Sequence, residues 1–479
     1  MSVMRPPAPL PTAGLTTGAP VLLRAVRAML GGLMIGLAVL IGTSAPAAAQ
    51  GLNLIRDTEI EKLLQSYAKP IFDYGGLAPG SVTIHIVQDD SLNAFATQGN
   101  NMFIFTGLLL ASRNSNELIG VMAHETGHIV GAHFVTFDDS VSAASTESIL
   151  ATLLGVAAGV ASKNPDVGMA VMLGGQGTAM RQLLAFSRDQ ESRADQFALK
   201  GLLATHQSPK GLYDFFSRLS GEELLSAAHQ DPYIQTHPLT RERMDTVEQA
   251  VRTSPYTNAP LDPARELQHR RMVAKLFAFL KPQITTLQKY PDRDNSVEAR
   301  YARSIAYFRR GQVDKAVPLI DGLIAELPKD PYFWELKGQM LLETGHADDA
   351  VAAYRTSVNL LPDAPLNQVS MAHAMVETGN PAYAPEAQNA LKVALRADSE
   401  DPFAWDLLAK SYLQSDNPGM SSYAAAERAL LLNQFEDVIR YTKEAEKLLA
   451  KDTPTWYRLE DIRVTAQNEL REVIDKRRR

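Results

Sequence analysis

The sequence predicts an α+β, mostly helical protein in which a first domain with a small β-sheet precedes an all-α superhelix. Three patterns support this fold class. Residues 81–105 predict two strands, because residues 82–87 alternate apolar and polar side chains and residues 101–105 are apolar and aromatic. Residues 114–129 predict a helix, because Asn114 and Glu117 have the spacing of an N-terminal capping box and apolar side chains follow at helical intervals. Beyond residue 294 the chain repeats with a period of about 34 residues, which indicates stacked helical pairs.

The first 49 residues have the pattern of an export signal. Arg24 and Arg27 precede an apolar run over residues 28–41, and small residues follow up to Ala49. The run is too short to span a membrane comfortably, so we predict a signal peptide at 1–49, cleaved after Ala49, and a mature chain without a transmembrane span. An uncleaved anchor is the alternative. The chain contains no cysteine, which excludes a lipoprotein anchor and disulfides.

The net charge argues against nucleic-acid binding. The whole chain carries −7, and residues 1–49 contain three arginines and no acidic residue, which leaves −10 on the mature chain. Such an acidic protein is a poor general ligand for nucleic acids or anionic membranes.

The first domain, residues 50–252, contains a zinc-binding pattern. His124 and His128 are four residues apart on the predicted helix, so both imidazoles reach one metal ion. Glu125 lies between them, where it can take a proton from a zinc-bound water and pass it to a leaving amine. The pattern predicts metal-dependent peptide hydrolysis; two histidines of an ordinary helix are the alternative.

A second motif strengthens this hypothesis. Glu191, 63 residues after His128, is the candidate third ligand that a catalytic zinc site requires. Asp195 follows Glu191 by one helical turn and can accept the free N–H of a ligating histidine. A salt-bridged solvent-exposed face formed by Arg188, Glu191 and Asp195 is the alternative.

The chain contains five motifs in order: Asn93-Ala-Phe-Ala96, Gly99 with Gly107-Leu-Leu109, His124 to His133, Glu191 to Asp195, and Thr236-His-Pro238 with Arg243. Together they resemble the HtpX and CAAX-prenyl-endopeptidase family of zinc metallopeptidases, and its BepA-like periplasmic branch, which carries a C-terminal tetratricopeptide domain. The family usually has two glycines where this chain has Gly99-Asn100, and asparagine tolerates the left-handed backbone of such a turn. His133 lies off the ligand face and is predicted to be structural.

The resemblance implies a zincin-type domain holding one Zn²⁺, with Glu125 as the general base and with these ligands: His124, His128 and Glu191. It also places His237 near the metal, either as a fourth ligand that keeps the enzyme latent or as a donor to the developing oxyanion. Arg243 matches the family's arginine and is expected to pair with a carboxylate or to brace the His237 loop. In zincins the strand beside the active helix pairs with an extended substrate.

Residues 149–180 are apolar and rich in glycine, and Lys163-Asn-Pro-Asp166 divides them into arms too short to span a membrane. This composition predicts either a buried helical pair or a mobile lid over the active-site cleft. The glycines favour the lid, because they make a rigid helix unfavourable.

The remaining chain divides into a linker and connecting helix at 253–293 and a tetratricopeptide domain at 294–479. The basic connecting helix is predicted from about Ala264 to Leu280. Gly311 and Gly345, like Pro328 and Pro362, recur at that repeat's spacing, and four helical pairs are predicted. The resemblance implies a periplasmic endopeptidase that acts on unfolded or stalled outer-membrane β-barrel proteins, with docking on the barrel-assembly machinery through the repeats. A chaperone or scaffold with a latent zinc site and a repeat-based adaptor are the alternatives.

Overall fold

The structure, a computed structural model, describes residues 53–133, 188–220 and 232–478. The predicted signal peptide at 1–49 and the predicted lid at 149–180 lie outside these described residues. The described part is mostly helical and contains one four-stranded sheet, which confirms the predicted fold class. Within it, no helix combines the length and the apolar character needed to cross a bilayer.

The sheet contains β1 (Leu54–Ile55), β2 (Thr83–Val87), β3 (Ala94–Thr97) and β4 (Asn101–Phe105) in the order β1-β2-β4-β3. β2 and β4 are parallel, whereas the β1–β2 and β3–β4 pairs are antiparallel. The sequence predicted two strands between residues 81 and 105, and the structure has three. The additional strand β3 is joined to β4 by a tight turn in which Gly99 and Asn100 have φ values of +77° and +56°. Asn100 therefore adopts the left-handed conformation that the turn requires.

Seven helices complete the described part of the first domain: α1 (Thr58–Tyr74), α2 (Thr106–Ala111), α3 (Ser115–Val130), α4 (Arg188–Ala204), α5 (Lys210–Leu219), α6 (Pro232–Thr236) and α7 (Arg241–Thr253). One hydrophobic core joins α1, α3 and α5 to the sheet through side chains that include Leu64, Ile104, Val121 and Phe215. Each of these four side chains is at most 1% exposed. This core holds α3, and with it the metal-site histidines, at a fixed position.

The connecting segment contains α8 (Pro263–Leu280) and α9 (Gln283–Lys289). α8 is more than a linker, because it contributes Met272 and Leu276 to the core of the first domain and Ala274 and Ala278 to the first core of the repeats. The two regions are therefore packed against a shared helix.

The repeats contain ten helices: α10 (Val297–Arg309), α11 (Val313–Glu326), α12 (Pro331–Glu343), α13 (Ala347–Leu360), α14 (Pro365–Glu377), α15 (Ala384–Ala397), α16 (Pro402–Gln414), α17 (Pro418–Leu431), α18 (Phe435–Leu448) and α19 (Pro454–Arg478). They form five pairs rather than the four predicted. The first three left-handed turn positions are glycines, and the later ones are not: Gly311, Gly345, Gly379, Asp416, Asn433 and Asp452. Because the glycine signal stops after the third pair, the sequence pattern underestimated the length of the array.

A buried charge cluster joins α1, α8 and the repeats. Glu59 lies 2.7 Å from Arg271 Nη2 and 3.3 Å from Lys275 Nζ, and it accepts a 2.9 Å hydrogen bond from Tyr301 Oη. Arg271 also pairs with Asp330 of the repeats. The cluster fixes the orientation of the repeats on the first domain, because buried charges tolerate little displacement of their partners.

Candidate metal centre

The helix that carries His124, Glu125 and His128 begins where the sequence predicted. The Asn114 side chain accepts a hydrogen bond from the Glu117 backbone N–H, which caps the N-terminus of α3. α3 crosses α4 closely at Gly127, where a Cβ atom would lie 2.8 Å from the Ala194 Cα. The glycine of the motif therefore lets Glu191 approach the two histidines.

Four candidate donors meet in one place. His124, His128, Glu191 and His237 each offer a ligand atom, and these atoms all lie within 4.8 Å of one another. The His124 and His128 Nε2 atoms are 3.1 Å apart, and each lies 3.4 Å from an oxygen of Glu191. All four residues have 0% relative exposure. The structure thus brings together the residues that the sequence predicted as metal ligands.

These distances fit a zinc ion. Zinc bonds of 2.0–2.2 Å in a tetrahedron require donor atoms about 3.3–3.6 Å apart, and the two histidine to carboxylate distances fall in this range. The donor chemistry also fits, because buried imidazole nitrogens and a buried carboxylate oxygen converge on one point among the described residues. Imidazole and carboxylate are the ligand types that zinc takes in catalytic sites.

His237 approaches from the loop after α6. Its Nδ1 lies 3.1 Å from Glu191 Oε1, and its Nε2 lies 3.6 Å from Glu125 Oε1. The ring stacks on Tyr233, one helical turn earlier, with centroids 4.6 Å apart and planes inclined by 27°. This stacking fixes the orientation of the imidazole beside the other donors.

Asp195 and Arg243 form a second layer around the donors. Asp195 Oδ1 lies 2.9 Å from His124 Nδ1, so it pairs with that side of the ring and leaves Nε2 directed at the centre. Arg243 donates to both oxygens of Asp195 at 2.6 and 2.9 Å, contacts Glu191 Oε2 at 2.7 Å, and donates to the Pro238 carbonyl at 2.8 Å. One guanidinium therefore links both carboxylates to the loop that carries His237.

His133 is closer to the centre than the sequence indicated. Its Nδ1 lies 3.3 Å from His128 Nδ1, although it follows that residue by five positions. The chain leaves the helix at Gly131, and Ala132 adopts a φ of +48°, which folds the His133 ring back over the end of α3. The expectation of a merely structural residue overlooked this reversal, because helical periodicity does not extend past a C-cap.

Burial and charge set the protonation of the site. Burial raises the pKa of Glu125 and lowers that of His128 to about 3. Burial alone would raise the pKa of Glu191, but the neighbouring His237 and hydrogen bonds from His124 and His128 hold it well below 4.5. Neither oxygen of Glu125 has a hydrogen-bond partner among the described residues. The site therefore combines an ionised ligand, Glu191, with a buried carboxylate of raised basicity.

Comparisons with known proteins agree with this geometry. Residues 55–251 match peptidase family M48. The chain is 22% identical over 410 residues to the β-barrel assembly-enhancing protease of Escherichia coli K12, covering 82% of this chain and 80% of that protein. It is 27% identical over 259 residues to a Vibrio cholerae protein named as a β-barrel assembly-enhancing protease homologue, covering 52% of each chain. It is also 24% identical over 181 residues to the mitochondrial metalloendopeptidase OMA1 of Schizosaccharomyces pombe, covering 38% of this chain and 50% of that one. Over residues 55–251, the first domain is therefore similar to peptidase family M48.

Proposed function

We propose that the chain is a periplasmic zinc endopeptidase that hydrolyses peptide bonds in unfolded or misassembled outer-membrane β-barrel proteins. The observation that carries the proposal is the buried group of four donor residues beside Glu125, a carboxylate without a hydrogen-bond partner among the described residues. The name of the E. coli relative, a β-barrel assembly-enhancing protease, supports the substrate class. The repeats would dock on the barrel-assembly machinery, which is a further part of the proposal.

In this function His124, His128 and Glu191 would hold one Zn²⁺, which would supply Lewis acidity toward the attacking water and the scissile carbonyl. Glu125 takes a proton from the attacking water and delivers it to the leaving amine. Burial, which raises the pKa of Glu125, strengthens it as a base. Asp195 holds the His124 tautomer, and Arg243 keeps both carboxylates in place rather than contacting the substrate.

His237 is proposed to be the fourth ligand in a latent state. Its ring is fully buried, stacks on Tyr233 and offers a nitrogen within 4.8 Å of the ligand atoms of the other three donors. Displacement of the ring would open a coordination position for the substrate. Donation of a hydrogen bond to the oxyanion is the second role, and it applies only after the ring has left the metal.

The position of β3 supports binding of an extended substrate. In the part of the chain that the structure describes, β3 is an edge strand of the sheet and packs against α3, which carries His124 and His128. A substrate that adds to this edge is held through its main chain, so unfolded polypeptides of varied sequence are suitable clients.

The test compares metal content and casein hydrolysis for the mature protein, Glu125→Gln and His237→Ala. We expect about one zinc per chain in all three, hydrolysis lost in Glu125→Gln, and hydrolysis increased in His237→Ala. Absence of zinc from the wild-type protein would refute the catalytic assignment. N-terminal sequencing of the exported protein should begin at Gln50 if the signal peptide is cleaved as proposed.

A chaperone or scaffold with a latent metal site is the second candidate. The complete burial of the four donors favours it, because a closed site binds metal without admitting substrate. Zinc without hydrolysis in any variant, together with rescue of a deletion strain by Glu125→Gln, would support this candidate over the peptidase.

A further inference from the structure

A groove of about 770 Å³ lies between the first domain and the repeats, and none of the four candidate metal ligands lines it. We call it the junction groove. Its walls come from three segments: residues 55–57 at the end of β1, residues 275–280 of α8, and the facing sides of α12 and α14. Its volume is that of a typical ligand site rather than of a packing defect.

The cations of the junction groove are already neutralised. Lys275 lies 2.7 Å from Asp57, and Arg56 lies 2.9 Å from Glu61 and 3.0 Å from Asp398. Because these contacts bind the positive charges to carboxylates within the protein, the lining does not attract an anionic ligand.

The carboxylates on the repeat side are less compensated. Glu343 contacts the Gln339 amide, which is neutral, and Glu377 lies 3.7 Å from His373. Burial raises the pKa of Glu335, deeper in the groove, to about 7 despite Lys275 at 3.7 Å. The two exposed carboxylates, Glu343 and Glu377, therefore present a negative potential to an incoming chain.

Apolar side chains and a strand edge complete the surface. Ile55, Phe279 and Leu342 line the same groove as the carboxylates. Ile55 belongs to β1, the end strand of the sheet opposite β3. The chemistry suits an extended peptide that combines basic and apolar side chains with free main-chain groups.

We propose that the junction groove is a second substrate-binding site, which holds a basic and apolar segment of the same unfolded polypeptide that is cleaved at the metal centre. This inference rests on the proposed function for the identity of the polypeptide. Three strand spacings separate β1 from β3, or about 14 Å at least. An extended segment of about five residues covers this distance, so one unfolded chain reaches both edges.

The test measures binding by fluorescence anisotropy of a labelled 12-residue peptide of alternating lysine and leucine. The protein is the mature chain with Glu125→Gln, which prevents hydrolysis of the probe. Reversal of the groove charge in Glu343→Lys/Glu377→Lys should weaken binding by at least about tenfold. The matched control, Glu400→Lys/Glu444→Lys, changes two exposed glutamates outside the groove and should stay within about twofold. Thermal unfolding confirms that both double variants are folded.

Equal affinity of the groove variant and the control variant would overturn the proposal, as would equal binding of a peptide with glutamate in place of lysine. Failure of the lysine peptide to bind the protein would also overturn it. Concentration-dependent self-association that the groove variant abolishes would assign the groove to a second copy of the chain. Casein hydrolysis by the groove variant with Glu125 intact is measured separately, so loss of the peptidase function is distinguished from loss of the second site.

Discussion

Glu59→Gln should destabilise the junction between the first domain and the repeats. The glutamine keeps the size of the side chain and removes its charge. Glu59 is 5% exposed and contacts Arg271, Lys275 and Tyr301 at 2.7, 3.3 and 2.9 Å. The substitution therefore weakens two ion pairs and one charge-assisted hydrogen bond at a single buried position.

The expected loss of unfolding free energy depends on which carboxylates remain paired with Arg271 and Lys275 after the substitution. Removing one member of a buried ion pair costs about 3–5 kcal/mol when its partner is left uncompensated. Here Arg271 keeps Asp330, and Lys275 keeps Asp57 at 2.7 Å. We therefore expect the lower end of that range, about 3 kcal/mol of unfolding free energy at pH 7.

Guanidinium unfolding measures this change with two probes. The three tryptophans, Trp334, Trp405 and Trp456, all lie in the repeats, so their fluorescence follows the repeats while circular dichroism follows all helices. The variant should unfold at lower denaturant concentration by both probes. Glu400→Gln, at an exposed turn, is the control. A loss below about 0.5 kcal/mol, similar to the control, would refute the argument that the junction depends on this carboxylate.

The same carboxylate predicts a pH dependence. Burial alone would raise the pKa of Glu59, but Arg271 and Lys275 outweigh it and hold the pKa below 4.5. Its contribution is therefore present above pH 4.5 and is lost as the pH falls through the pKa of the folded state. The wild-type and Glu59→Gln unfolding free energies should converge in that acidic range, and a constant difference down to pH 2 would contradict the assignment.

Four further outcomes are expected. Asp195→Asn should weaken zinc binding by about 10–100-fold in a competition titration with a chelator, whereas the exposed Asp189→Asn should not. A chelator should lower the thermal midpoint of the mature wild-type protein, since ligand binding to the folded state stabilises it. Gly211→Ala should lower the unfolding free energy by about 1–3 kcal/mol, because the alanine Cβ would lie 2.0 Å from the Asn116 carbonyl oxygen. Gly322→Ala, where the same atom meets open space in a helix, should raise the unfolding free energy by about 0.5–1 kcal/mol.

The sequence predicted the local elements well wherever periodicity or a cap determined them. The cap at Asn114 and the helix from Ser115 agree with the structure, and α8 at Pro263–Leu280 agrees closely with the predicted connecting helix. The strand β3 and the fifth helical pair were missed. β3 is only four residues long and is defined by its pairing with β4, which no local pattern records. The turns at Asp416 and Asn433 replace glycine with residues that tolerate a positive φ, so the repeat signal disappeared.

At the site, helical spacing predicted which residues of α3 and which residues of α4 share a face, but it did not decide whether the two faces meet. The four-residue intervals from His124 to His128 and from Glu191 to Asp195 follow from helix geometry alone. His237 and Arg243 came from family resemblance, because their approach depends on the tertiary path of a loop. The contact of Arg243 with both Glu191 and Asp195 was not specified by any spacing. The contact of His133 with His128 was not predicted for the same reason, since the fold reverses the chain beyond Gly131, and His133 stays outside the four donors.

The helix α8 fixes the length of the chain between the two regions. Met272 and Leu276 face one core, and Ala274 and Ala278 face the other, so the two faces differ by two residues, or about 200° of helical rotation. Inserting one residue at position 273 or 277 would rotate the side chains after the insertion by about 100° relative to those before it. Apolar side chains would then be directed away from their core. We expect related proteins to vary the side chains of α8 while keeping its length, and engineered exchanges of the repeats to succeed only when the cut lies outside residues 263–280.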